Sequence, residues 1–164
     1  MPTKTIVFAL ITFMHDLFTA VWIGGLITLG LTVLPSVKKV LGKGPQTKKL
    51  MDTIQKRNSV LVYVSMIGLV LTGLLQANRS PAFQGLFSFG NAYSTVLAIK
   101  HILVVAMIAI ALYRSLVLGR KSVASTPSQE KLKAGLLMVN IVLGVAILLL
   151  SGFTAVLSSG IPLA

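Results

Sequence analysis

The chain has 164 residues, 55% of them hydrophobic and 11% charged, where an ordinary soluble domain carries about 25% charged residues. With a mean hydropathy of +0.91 and four long apolar blocks, it is predicted to be an all-α, polytopic membrane protein with a single four-helix domain over residues 1–164. The absence of cysteine excludes disulfides, thiolate zinc sites, iron–sulfur clusters and covalent haem attachment, and leaves His, Met, Asp, Glu and backbone groups as the only metal ligands.

The first apolar segment runs from about Thr5 to Pro35. It continues well past the 7–15 residue core of a signal peptide, with no Ala-x-Ala type site after it, so it reads as a retained membrane helix. Segment two runs from about Asn58 to Gln76, segment three from about Tyr93 to Val117, and segment four from about Ala134 to Leu157. Each reaches or nearly reaches the roughly 20 residues that cross a hydrocarbon core. Helices satisfy their own backbone groups in lipid, so the expected architecture is an up-down-up-down bundle.

The net charge of +12 does not point to nucleic acid, because the basic residues cluster between the apolar blocks. Lys38, Lys39, Lys43, Lys48, Lys49, Lys56 and Arg57 follow segment one, and Arg114, Arg120, Lys121, Lys131 and Lys133 flank the connection after segment three. The opposite side has Lys4 and Arg79, with Lys100 just inside the membrane. Basic loops favour the cytoplasm, so loops 36–57 and 118–133 are expected there and both termini outside. The location implied is the cytoplasmic (inner) membrane, with the lipid bilayer as the first partner. Between segments two and three lie Pro81, Phe83, Phe87, Phe89 and Tyr93 with Gly85 and Gly90, which read as a short amphipathic lid on the outer surface. The Ser122–Gln129 stretch, with Pro127, reads as a plain linker.

The chemistry is expected where ionisable side chains enter the membrane. His15 and His101 are the only histidines, in the contexts Met14-His15-Asp16 and Ile99-Lys100-His101. His15 lies about 15 Å of helix in from Thr5, and His101 about 10 Å in from Ser94. Both therefore come to similar depth in the outer half, together with Asp16 and Lys100. Asp16 and Lys100 are read as a buried ion pair or as a proton relay that orients a ring. Trp22 sits seven residues beyond His15, almost directly below it. Thr12 and Thr19 accompany Asp16 on segment one. Ser65, Thr72 and Gln76 on segment two and Asn140, Gly144, Ser151 and Ser158 on segment four add a polar stripe. Met14 and Met107 are the thioethers nearest the histidines, and thioether with imidazole suits copper. Below Trp22 only Asn140, Met66 and hydroxyls offer ligands, so the inner half is expected to be comparatively inert. Asp52 and Glu130 are read as loop residues, leaving Asp16 as the only intramembrane carboxylate and arguing against a stand-alone hydrolytic enzyme.

Met14-His15-Asp16 followed by Trp22-Ile23-Gly24-Gly25 and Leu34-Pro35 resembles the first helix of CopD-type copper-resistance membrane proteins. Lys56-Arg57-Asn58-Ser59 leading to Leu71-Thr72-Gly73-Leu74 is similar to that family's next helix. Tyr93, Lys100 and Arg114 fall where its third helix carries Tyr or Gly, Lys, and an inner Arg, and the Ser158–Pro162 stretch fits its final helix. The resemblance covers nearly the whole chain and implies copper uptake, acceptance or delivery at the membrane, with His15 and Lys100 on recurring positions. A second similarity is to HemJ-type four-helix proteins, which bind haem b using a first-helix His, a Trp seven residues later and a third-helix Lys. Pro35 lies further from the His here than in that family.

Three functions follow. In the first, copper is held near the outer face by His15, His101 and Met14 or Asp16 and exchanged with an extracytoplasmic donor. In the second, haem b sits in the bundle with His15 and His101 as axial ligands, Trp22 beside the ring and Lys100 or Arg79 at the propionates, and the protein passes electrons. In the third, the chain is an accessory subunit of a larger membrane complex.

Overall fold

The computed structural model describes residues 2–42, 44–77, 80–118 and 126–159. Lys43, Arg79, Arg120, Lys121, residues 122–125 and Pro162, all used in the sequence reading, lie outside the described residues. Four long helices account for the architecture: α1 over Thr3–Leu41, α2 over Pro45–Ala77, α3 over Ala92–Leu118 and α4 over Pro127–Ser158. No strand occurs among the described residues. All four helices are long and apolar enough to cross a membrane, as expected from the four apolar blocks.

The helices are longer than the apolar segments. Most of the basic stretch after segment one is not a loop: α1 continues to Leu41 and α2 begins at Pro45, so Lys38, Lys39, Lys48, Lys49, Lys56 and Arg57 are all helical. Asp52 is therefore helical, and Glu130 lies in the first turn of α4. Lys, Gln, Met and Leu are good helix formers, so the helices run on beyond the apolar stretch. The expected linker ends early too. Thr126 caps α4, accepting from the Gln129 backbone N–H while the Gln129 side chain reaches back, with Pro127 in the first turn.

Three stretches wind as π-helix: Ala20–Gly24 and Thr28–Val33 in α1, and Tyr113–Leu118 at the end of α3. Two have local causes. Thr19 Oγ1 donates to the His15 carbonyl at 2.8 Å just before the first, a back-bond that bends helices. Pro35 follows the second and offers no N–H to the preceding turn. Nothing in the structure explains the third.

α1 packs mainly on α2, and α3 mainly on α4. Small residues let the two pairs close on each other. A Cβ at Gly30 would meet Ile141 at 2.6 Å, and one at Gly144 would meet Ile23 at 3.1 Å. Within the first pair, Gly68 on α2 is covered by the Phe18 ring of α1. The mid-bundle core is Trp22, Ile23, Leu26, Val62, Met66, Met107, Leu137, Ile141 and Ile147. Leu10, Phe13, Val64, Ile67, Val105 and Leu149 point outward, as lipid-facing side chains do.

Candidate functional site

Two cavities flank that core, one at each end of the bundle, and no residue lines both. The first, of about 340 Å³, opens where α1 and α3 begin and α2 and α4 end. His15, His101, Lys100 and Tyr93 line it, with Trp22 and Met107 at the core side. Four of the residues singled out in the sequence, His15, His101, Trp22 and Lys100, are thus brought to one chamber. The other two are not. Met14 is exposed and does not line the cavity; the thioether on its wall is that of the fully buried Met107. Asp16, the residue after His15 and about 100° further round the helix, is exposed and likewise off the wall. It makes no ion pair with Lys100 within 4.0 Å, although the two charges act on each other across the site.

The two imidazoles are anchored in the same way. His101 Nδ1 lies 2.7 Å from the Leu97 carbonyl. A carbonyl only accepts, so Nδ1 carries the proton and donates it. His15 Nδ1 lies 2.9 Å from Thr72 Oγ1. Thr72 uses its single hydroxyl proton on the Gly68 carbonyl at 2.7 Å, so toward His15 it accepts. Nδ1 of His15 is therefore also the donor. In the neutral rings both Nε2 atoms keep a lone pair. A ring held by Nδ1–H with Nε2 free is the arrangement of metal-ligating histidines.

The walls hold these rings in place. Gln76 Nε2 donates to the Ile11 carbonyl at 3.4 Å and ties α2 to α1 one turn from His15. Gly73 leaves room beside the ring, since a Cβ there would lie 3.6 Å from His15 Cε1. Over His101 lies the connection between α2 and α3. Phe87 packs on the imidazole with ring centroids 6.1 Å apart, and Leu86 lines the chamber. That connection is fixed to α3 by Asn91, which caps the helix at the Ser94 N–H and donates to the Ala82 carbonyl at 2.7 Å. Trp22 Nε1 is buried with no acceptor among the described residues, leaving one N–H donor unused at the chamber wall. Among the described residues no three His, Asp or Glu side chains converge on one point, so the chamber could offer a metal only its two imidazoles, a thioether and solvent.

The second cavity, of about 470 Å³, lies at the basic end, where α1 and α3 finish and α2 and α4 begin. It corrects the expectation of an inert half. Arg114, Lys56, Lys133, Asn58, Tyr63 and Asp52 are on its wall. In the sequence reading Arg114, Lys56 and Lys133 serve topology and Asp52 is a loop residue, while Tyr63 has no assigned role. The one signal in the sequence was that Arg114 falls four residues inside the end of α3 rather than in the connection.

Between the chambers, Asn140 is fully buried and its Nδ2 reaches the Met107 carbonyl at 3.5 Å, joining α4 to α3. Trp22, Met66 and Met107 belong to the packed core at this level.

A family model described as copper resistance protein D matches residues 53–157, more than half of the chain. The match takes in His101, Lys100, Thr72 and Arg114 and leaves His15 before its first residue. Comparison with curated proteins and with solved structures gives no match.

Proposed function

The chain belongs to the copper resistance protein D family, and from that premise we propose that it accepts copper in the histidine chamber, on Nε2 of His15 and Nε2 of His101. Copper is the cargo of this reading. The observation that carries it is the shared anchoring: each ring holds Nδ1 within hydrogen-bond distance of a fixed oxygen, Thr72 Oγ1 or the Leu97 carbonyl, which leaves Nε2 for a metal. Imidazole suits copper in either oxidation state, and a thioether adds selectivity for Cu(I). In this reading Met107, on the chamber wall, supplies that softer contact.

Lys100 shapes the affinity. Its ammonium shares the chamber with the imidazoles, while the Asp16 carboxylate lies off the wall. A cation bound beside an ammonium is held less tightly and leaves more readily. Transfer proteins need this property, because a site on a path must release what it binds. The basic ends of the helices face the cytoplasm in this reading, so the histidine chamber opens to the extracytoplasmic side, where a copper donor or acceptor docks. The packed core makes the chamber a receiving site; passage inward requires the Trp22–Met66–Met107 layer to open.

The test is elemental analysis and a visible spectrum of the detergent-purified chain after Cu(I) loading and desalting. Stoichiometric copper, lost in a His15→Ala/His101→Ala double variant, is expected. A protein that purifies with a sharp Soret band dependent on both histidines would replace copper with haem b. Copper content unchanged by the double variant would remove the histidine chamber from the reading.

A further inference from the structure

The copper reading leaves the cavity at the basic end without a role, and its chemistry is unlike that of the histidine chamber. Three cationic side chains, Arg114, Lys56 and Lys133, line it against one carboxylate, Asp52. Arg114 decides how this charge is to be understood. Basic residues at helix ends ordinarily reach outward to water and headgroups, as Lys38, Lys39 and Arg57 do here, all exposed. Arg114 is turned inward instead. Its Nε is shielded from solvent and has no hydrogen-bond partner among the described residues. Tyr63, on the facing helix α2, lines the same cavity, and its hydroxyl is equally buried and unpartnered. A buried guanidinium N–H and a buried phenol O–H on two helices thus border one chamber with no acceptor among the described residues. Buried donors in native proteins are almost always satisfied.

Asn58 adds a polar amide at the same level. Gly25 keeps α1 out of its way, since a Cβ there would sit 3.1 Å from Asn58 Oδ1. Donors and positive charge therefore predominate on a wall set between transmembrane helices. A guanidinium binds phosphate oxygens by parallel N–H donors, and basic pockets between membrane helices suit anionic headgroups. We propose that the basic-end cavity binds a phosphate group, with Arg114 as its main ligand and Tyr63 and Asn58 completing the oxygen contacts. Either a phospholipid headgroup or soluble phosphate presents this chemistry. Lys56 and Lys133 at the wall draw it in.

The proposal is tested by thermal unfolding of the delipidated full chain in mild detergent, titrated separately with phosphatidylglycerol, inorganic phosphate and dioleoylglycerol. A saturable rise in Tm with phosphatidylglycerol alone assigns a lipid headgroup, and one with inorganic phosphate assigns the free ion. Dioleoylglycerol, which has tails and no phosphate, should produce no shift. Arg114→Gln should weaken the response about tenfold or more, as loss of charge-assisted hydrogen bonds does. Tyr63→Phe, which keeps the ring and its packing, should weaken it several-fold and serves if the Arg114 variant does not fold. The exposed pair Lys38→Gln/Lys39→Gln should respond like the parent chain. The proposal is overturned by no saturable response to either phosphate probe, by an equal response to dioleoylglycerol, or by Tyr63→Phe and every folded Arg114 variant responding like the parent.

Discussion

The two ends of this bundle are built from the same kind of helix yet carry opposite chemistry. At the histidine end both rings are already held: Thr72 holds His15, the Leu97 carbonyl holds His101, and Asn91 holds the connection above them. What is left over is the Nε2 lone pair of each ring, an acceptor set for a soft cation, beside two donors at the wall, Trp22 Nε1–H and Lys100. At the basic end the polar side chains do not satisfy each other, and what is left over is a set of donors. The lesson is that the residual hydrogen-bonding capacity of a cavity says more about its ligand than its size or its net charge. A shared core of Trp22, Met66, Met107 and Ile141 keeps the two chambers apart.

If the ends are independent, variants at one should leave the other untouched. The largest effect should come from His15→Ala or His101→Ala, each removing a ligand. Copper affinity measured by competition with a chelator should fall by more than the roughly 10–100-fold that loss of a supporting residue causes. The phosphate response at the basic end should stay unchanged. Thr72→Val should come next. It keeps the shape beside His15 but removes the acceptor, so affinity should fall about 10–100-fold with little change in Tm.

Core variants test the separation itself. Gly68→Ala drives a Cβ into the Phe18 ring and should destabilise the folded chain by about 1–3 kcal/mol, read as a lower Tm in detergent, at both ends alike. Lys100→Met should work in the opposite sense. Removing one positive charge from the wall of the chamber should tighten copper binding by about 1 kcal/mol or more, the scale of a unit-charge interaction at an effective dielectric of about 20. An unchanged affinity would show that the ammonium is screened from the site. Gly73→Ala should do least: the new methyl makes ordinary contact with His15 and should stay within about 0.5 kcal/mol of the parent.

Much of the histidine end was legible in the amino-acid sequence, for a physical reason. Ionisable residues are rare inside apolar segments, so His15, Lys100 and His101 marked themselves, and helical rise set their depth. Thr72 was visible only as one of several hydroxyls, because its role depends on the register of α2 against α1. Met14 was chosen for adjacency to His15, but neighbours in a helix point about 100° apart, and the thioether that reaches the wall is Met107, on another helix. The basic end was hidden by its own signal. Near a helix terminus every Lys and Arg serves topology, and only the fold distinguishes the inward Arg114 from the outward Arg57. Helix lengths were underread for a related reason: hydropathy marks the part of a helix in lipid and is silent about its continuation into water.

The central claim is that copper sits on Nε2 of His15 and His101. X-ray absorption at the copper edge of the Cu(I)-loaded chain tests it most directly. A first shell containing two imidazole nitrogens, reduced to one in either single His→Ala variant, is the predicted result. A shell without imidazole, or one identical in parent and both variants, would contradict it.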